Sequence, residues 1–355
     1  MNNNDCYWWD LCNQEDRKHY NMVIIQLAGG LGNQMFQYAL YLQLKSLGRT
    51  VKIDEVAGFA QDAQRDPALK YFGIDYERAT AEELRRMLDS SMLPWARVRR
   101  KLFGRKKKSY FEADKLFHPD IMEWDDIYLE GYWQTEKYFA GVSQEIRAAY
   151  DTDRLLQFAD AAMQDNMERC TAAEWLTQIN DTESVSVHIR RGDYLLPENQ
   201  ELFGGICTAS YYLRAMEQMK QAHPECMFYI FTNDKQWIRE QIAKAETAVK
   251  AEALEEAKAA DRAETAERSV TTDHTKIVEI PETAGTAEQR DYAEFALMSK
   301  CRHHILANSS YSWWASYLCG NPHKTVLAPD RWMNGWDCTD LYREDMQRVP
   351  TSDLL

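Results

Sequence analysis

The sequence has no apolar run long enough to cross a bilayer, which takes roughly 20 residues. Its first 21 residues, MNNNDCYWWDLCNQEDRKHYN, lack a positive leading segment and an apolar core. Neither a membrane-spanning helix nor a signal peptide is expected. No CxxC pair occurs among the 8 cysteines, which therefore read as reduced thiols of a cytoplasmic protein. The histidines show no metal-ligand spacing. An excess of positive charge is also missing, since the net charge is −14 over 355 residues. That excludes nucleic acid as the main partner, because a phosphate backbone needs a basic face. An anionic substrate must instead be held by local arginines and backbone donors.

What is present suffices for large cores: 45% of residues are hydrophobic and 12% aromatic. At this length, one large or two medium domains are expected. Residues 1–21 read as an extension. From Met22, MVIIQLA reads as a strand, Gly29-Gly30-Leu31-Gly32 as a loop, and NQMFQYALYLQLKSLG as a helix stopped at Gly48, with TVKID as the next strand. SVSVHI, MFYIFTND, KIVEI and HHILANSS repeat the rhythm of short β-rich runs between helical stretches, so the chain reads as α/β. The boundaries expected are 22–182 for a first domain, 183–330 for a second, and 331–355 for a C-terminal tail. The Ala/Glu/Lys-rich stretch 236–268 reads as an exposed helical insertion. The basic block WARVRRKLFGRKKK reads as a solvated face, or as a contact with anionic lipid through residues 97–108.

Four segments carry chemistry. In AGGLGNQMFQ, glycines after a strand let backbone N–H groups approach a ligand at a helix N-terminus, which favours an anion. A dinucleotide fingerprint would want Gly or Ala at Met35, although Asp54 stands where a ribose-binding acid belongs. A structural tight turn is the third reading. HIRRGDY leaves the end of a strand with two arginines that point apart, one toward a cleft and one into the fold. The planar fork of arginine matches phosphate oxygens in pairs, and an Arg–Asp network beneath a turn is the alternative. In ANSSYSWWASYL, Asn308, Ser309 and Ser310 stand at a helix start, as caps or as a diphosphate cradle. FTND ends a strand, where Asp234 suits either a nucleotide contact or a turn. Asp151-Thr152-Asp153 has the letters of a metal-binding pair, but it sits at a helix start and reads as a cap, so no metal site is expected.

In the order GGLGNQMFQYA, VHIRRGDY, YIFTND and LMSKCRHHILANSSYSWWASYL, these segments resemble the α-1,2-fucosyltransferases of glycosyltransferase family 11, from residue 22 to about residue 330. The resemblance implies a GT-B architecture: two Rossmann-like domains facing an interdomain cleft, the first on the acceptor side and the second holding GDP-fucose. It implies inverting transfer of L-fucose to a hydroxyl, expected to be the 2-OH of a terminal β-galactose, with no cofactor and no essential metal. The acceptor would be a galactoside-containing oligosaccharide or a lipid-linked glycan. Arg190 would bind the β-phosphate, with His188 near the nucleotide, Ser309 and Ser310 on the diphosphate, and Glu294 on the guanine, where the family usually has Asp. Gly30, Gly32, Asn33 and Gln34 would reach the donor from the other domain. Asp193, beside the arginines, is the first candidate for the base and Glu198 the second; Asp193 could instead orient an arginine. Animal members begin with a membrane anchor that this sequence does not show, so the cytoplasmic, bacterial kind is implied. A fucosyltransferase of another linkage, an NAD-dependent oxidoreductase and a non-catalytic carbohydrate-binding module are the competing readings.

Overall fold

The computed structural model describes residues 22–60, 62, 65–88, 98, 101, 102, 104, 108–163, 172–241, 274–279 and 287–352. The expected extension 1–21, most of the basic block 97–108 and residues 242–268 of the expected insertion lie outside the described residues. No described helix is long and apolar enough to cross a membrane.

The chain divides into two compact units, residues 1–146 and 147–355, each α/β with an all-parallel sheet, as a GT-B fold requires of each domain. The first unit has four strands: β1 (Met22–Gln26), β2 (Thr50–Asp54), β3 (Ser109–Phe111) and β4 (Ile127–Glu130), in the order β2-β1-β4-β3. β1 is buried on both faces, which explains its unbroken apolar run. It feeds α1 (Leu31–Ser46), which ends at Gly48, where φ is +77°, the left-handed conformation that glycine tolerates. Two short helices follow, α2 (Ala81–Met87) and α3 (Ser143–Ala149).

The second unit has six strands: β5 (Glu183–Ile189), β6 (Cys226–Thr232), β7 (Thr275–Ile277), β8 (His303–Ile305), β9 (Val326–Pro329) and β10 (Met346–Val349). Their order is β10-β9-β8-β5-β6-β7. Numbered from β5, this is the 3-2-1-4-5-6 order of the dinucleotide-binding fold. The helices are α4 (Thr152–Met163), α5 (Ala172–Asn180), α6 (Pro197–Phe203), α7 (Ala209–Ala222), α8 (Ala287–Lys300) and α9 (Ser310–Leu318).

Two expected boundaries move. The division falls after Ile146 rather than after residue 182, because α4 and α5 belong to the second unit. Lys300 of α8 pairs with Asp153 at 2.6 Å, the Trp175 indole donates to the Glu279 carbonyl at 3.2 Å, and Tyr150 packs edge-on to Trp314. The supposed tail from 331 carries β10, which pairs in parallel with β9. It also supplies Arg343, whose buried guanidinium donates to the Trp313 carbonyl and the Ser316 hydroxyl and lies 4.7 Å from the Trp313 ring.

Candidate active site

In an open parallel sheet, ligands bind beyond the carboxyl ends of the strands, where successive connections leave in opposite directions. In the second unit that point lies between β5 and β8. The loop after β5 is RRGD and the loop after β8 is LANSS, so the topology brings two of the expected motifs to one crevice.

The two arginines diverge. Arg190 is held in a fork by Asp193, with Nε 2.8 Å from Oδ1 and Nη2 donating to Oδ2 at 2.9 Å. Its guanidinium is also 5.9 Å from the Tyr194 ring. Burial works against its charge, but the Asp193 carboxylate outweighs that and keeps it firmly cationic. Arg191 turns toward β6, where its Nε donates to Asp234 at 3.2 Å, its backbone N–H donates to Asn233 at 3.0 Å, and its guanidinium lies 4.3 Å from the Trp237 ring. Gly192 permits this approach, because a Cβ there would come within 2.5 Å of the Asn233 amide. Arg191 therefore braces the fold and Arg190 stands in the loop beside the switch point.

His188, the last but one residue of β5, is 5% exposed, and its Nδ1 has no hydrogen-bond partner among the described residues. Burial pushes its pKa down to about 3, with the Arg190 charge adding to the effect, so the ring is neutral at pH 7. It lies 5.4 Å from the Tyr311 ring. An unpaired buried nitrogen at this point is the kind of vacancy in the polar accounting that a ligand can fill.

Opposite, Ser309 is the N-cap of α9, its hydroxyl accepting from the Tyr311 N–H at 3.4 Å, and Ser310 opens the helix. The helix N-terminus brings a partial positive charge to the carboxyl end of β8. The strand ends are fixed from beneath by consecutive tyrosines of α7: Tyr211 donates to the Leu306 carbonyl at 2.6 Å and Tyr212 to the His188 carbonyl at 3.0 Å. Tyr194 likewise donates to the Asn308 carbonyl at 2.9 Å. Glu294 of α8 is half-buried, and burial pushes its carboxyl up to about 8, with Lys235 and Arg290 pulling the other way and Asp291 adding to the rise.

Several expected contacts are engaged by the protein instead. The Asn308 amide is buried and donates to the carbonyls of Trp332 at 3.1 Å and Phe203 at 3.4 Å, bracing two loops. Asp234 holds Arg191 with one oxygen and caps the helical stretch from 235 with the other, accepting from the Trp237 N–H at 3.0 Å. Asp193 grips Arg190, which favours its orienting role over that of base. Glu198 is exposed on the first turn of α6.

In the first unit the switch point lies between β1 and β4. Gly29 has φ +76°, and Gly30 is the N-cap of α1, its carbonyl accepting from the N–H groups of Asn33 and Gln34. Gly32 is buried in the first turn. The Asn33 amide oxygen accepts from Gln134 at 2.8 Å. Gln34 does not reach outward: it is 1% exposed, donates to the carbonyls of Gly29 and Asp66, and accepts from the Ala68 N–H at 2.7 Å. Gln37 was not foreseen as a site residue. It accepts from the Ala28 N–H at 3.0 Å and donates to the Gly131 carbonyl at 2.8 Å, tying together the loops after β1 and β4. Its signal in the sequence was a polar residue three positions after Gln34 on an otherwise apolar helix face. Glu112, also missed, is buried and accepts from the N–H groups of Tyr132 and Trp133, at 3.0 Å each. Asp54 is 2% exposed and bound to the Tyr128 hydroxyl at 2.7 Å and to the Val56 N–H, so it shapes a turn and offers no ribose contact. Met35 is core. The dinucleotide reading of this loop loses its acid.

Asp151 caps α4, accepting from the Asp153 N–H at 2.9 Å, as its context suggested. Among the described residues, one His/Glu group has ligand atoms close enough for a metal: Glu183, His223 and His303. It lies at the amino ends of β5 and β8, away from the crevice. His303 bonds Glu183 through Nε2 at 2.7 Å and accepts from the Thr325 N–H at Nδ1, so both ring nitrogens are committed to the protein. A cavity of about 370 Å³, lined by Thr152, Lys300, Arg302 and Asn321 among others, also lies at that amino end.

The family model described as "Glycosyl transferase family 11" matches residues 104–265 and 268–345. The chain is 25% identical over 331 residues to an alpha-1,2-colitosyltransferase of Escherichia coli, covering 88% of this chain and 92% of that protein. It is 24% identical to galactoside alpha-(1,2)-fucosyltransferase 1 of Alouatta belzebul, covering 82% of this chain and 64% of that one. Among solved structures, an Arabidopsis thaliana FUT1 mutant in complex with GDP aligns over 93% of this chain and 76% of its own, with a TM-score of 0.41 and 12% identity.

Proposed function

The chain belongs to glycosyl transferase family 11, and from that premise we propose that it transfers L-fucose from GDP-β-L-fucose, with inversion, to the 2-OH of a terminal β-galactose. The observation that carries the reading is the pairing, across the β5/β8 switch point, of a carboxylate-oriented Arg190 with the N-terminus of α9. As the sugar–phosphate bond breaks, positive charge grows on the fucose ring and negative charge on the departing diphosphate. Arg190 and the positive end of the α9 dipole at Ser309 and Ser310 meet the second charge, and preorganised electrostatic stabilisation of this kind is usually the largest catalytic contribution. Asp193 keeps the guanidinium aimed. Neutral His188 offers Nδ1 to the nucleotide, and Glu294 offers a carboxyl to the guanine, ionising as the base's N–H groups arrive. The carboxylates at the strand ends, Asp193 and Asp234, are both tied to arginine, which favours charge neutralisation by guanidinium and N–H donors without an essential metal.

With Asp193 occupied, Glu198 is the candidate to take the acceptor proton. An Asp193→Asn protein should lose turnover with its pH–rate profile unmoved; a shifted acid limb would restore Asp193 as the base. Likeness to an alpha-1,2-colitosyltransferase supports a second reading, in which the donor sugar is colitose. Incubation with GDP-fucose or GDP-colitose, a small panel of β-galactosides and EDTA decides among these, with the linkage read by NMR. No sugar transfer from either donor, or turnover abolished by the chelator, would defeat the reading.

A further inference from the structure

We propose that Tyr132 is the floor of a pyranose subsite on the first unit, which takes the galactoside of the acceptor; the inference rests on the function proposed above and names a site for its second substrate. Tyr132 follows β4 at the carboxyl side of the first sheet, at that sheet's own switch point. It is 37% exposed, whereas the aromatic residues around it in sequence, Tyr128, Trp133 and Tyr138, are buried.

An exposed tyrosine is ordinary when it hangs from a mobile turn. This one is fixed from three sides. Glu112, itself buried, accepts from the N–H groups of Tyr132 and Trp133 and pairs with Lys115 at 2.8 Å. Trp133 is held at φ +55°, a conformation unusual for a bulky residue, with its side chain in the core. Gly131 is required beneath, since a Cβ there would meet the Glu112 Cβ at 2.5 Å. From the other side, the Gly29 backbone approaches so closely that a Cβ would lie 3.3 Å from the tyrosine ring.

The result is a rigidly held, partly exposed aromatic ring with hydrogen-bonding groups beside it and an ammonium over it. Lys115 Nζ lies 5.7 Å from the ring centroid, and the Gln134–Asn33 amide pair stands on the adjoining loops. A galactopyranose has the matching character: one face of C–H groups that stacks on an aromatic ring, and an edge of hydroxyls that needs amide and ammonium partners. Guanine would also stack, but it would bring the polyphosphate with it, and the local groups include a buried carboxylate as well as cations.

The test uses the full chain with Tyr132→Ala, Tyr132→Leu, Tyr132→Phe and Tyr132→Trp, measuring acceptor KM and kcat at saturating donor and the GDP Kd by calorimetry. Loss of a stacking face is expected to raise the KM for a β-galactoside about 10-fold in the Ala and Leu proteins, while Phe and Trp stay within about 3-fold. The GDP Kd should not move, and an unchanged thermal melt reports that the variants fold. An unchanged KM in both Ala and Leu proteins of an active enzyme overturns the inference. So does a parallel loss of GDP affinity in the Leu protein with retained thermal stability, which would put the base on the ring. Saturation-transfer NMR of methyl β-galactoside on wild type and Tyr132→Leu separates the two readings: if no fucose is transferred by wild type, the function falls, and the subsite falls with it only if both proteins give the same galactoside signal.

Discussion

The two sheets solve one topological problem with opposite chemistry. In each, the strand order reverses beside a central strand, leaving a crevice at the carboxyl ends. In the first unit the loops at the crevice are braced by neutral amides: Gln34 and Gln37 are buried and satisfy five backbone groups between them, those of Gly29, Asp66, Ala68, Ala28 and Gly131. In the second, Arg190 on Asp193 stands beside a neutral histidine with an unpaired nitrogen, while Arg191 on Asp234 braces the loop behind them. Amides set a backbone shape without a field, and guanidinium groups set a field. The same scaffold can thus present a shape at one switch point and an electrostatic sink at another.

The largest expected effect sharpens this contrast. Arg190→Ala should lower kcat/KM by about 10²–10³, the range for removing one preorganised donor from a developing charge, with thermal stability nearly intact. A donor-coupled GDP-release assay measures it, and near-wild-type turnover would break the assignment of the charged crevice. The counterpart in the first unit is Gln37→Leu, which strands the Ala28 N–H and the Gly131 carbonyl. It should destabilise the fold by about 2–3 kcal/mol, seen in urea denaturation, the low end for two part-buried orphans that each cost on the order of 1–3 kcal/mol. A loss confined to activity would mean that the amide belongs to the chemistry.

Acid offers a third test. Burial lowers the pKa of His188 to about 3, and lowers His303 and His304 as well. A histidine depressed in the folded state is neutral there while the unfolded chain protonates, so its contribution is full above about pH 6.5 and is lost as the pH falls toward the folded value. Each such group removes up to about 1.4 kcal/mol per pH unit in that window. Since all three lie in the second unit, its melting should shift first between pH 7 and 5; a pH-independent Tm would contradict the burial. The smallest effect is expected for Arg191→Lys. It keeps the charge near Asp234 and weakens the Trp237 contact, worth about 0.5–1 kcal/mol, so activity should stay within about 3-fold. A loss equal to that of Arg190→Ala would erase the distinction between aiming and bracing.

Much of this was legible in the linear chain. The unbroken apolar run of Met22–Gln26 and the Gly48 stop follow from burial on both faces and from left-handed backbone tolerance. Asp151 as a cap and Ser309 at a helix start follow from local hydrogen bonding. What misled was the reach of side chains. Asn308, Asp234 and Gln34 look like ligand contacts because polar residues beside a glycine or strand end commonly are. Their partners, Trp332, Arg191 and the Ala68 backbone, come from segments 24, 43 and 34 residues away, which no local pattern reveals.

The amino-acid order by itself settled the α/β rhythm, the motif set and the residue types able to neutralise a diphosphate, because periodicity, caps and glycine requirements act within a few residues. Tertiary structure alone decided which polar groups face a ligand and which brace the fold. It gave Arg190 rather than Arg191 the place beside the switch point, drew the domain boundary after Ile146, and turned the expected tail into the edge strand Met346–Val349. Those outcomes depend on strand order and on buried polar groups finding partners far along the chain, and neither is written in the neighbourhood of any one residue.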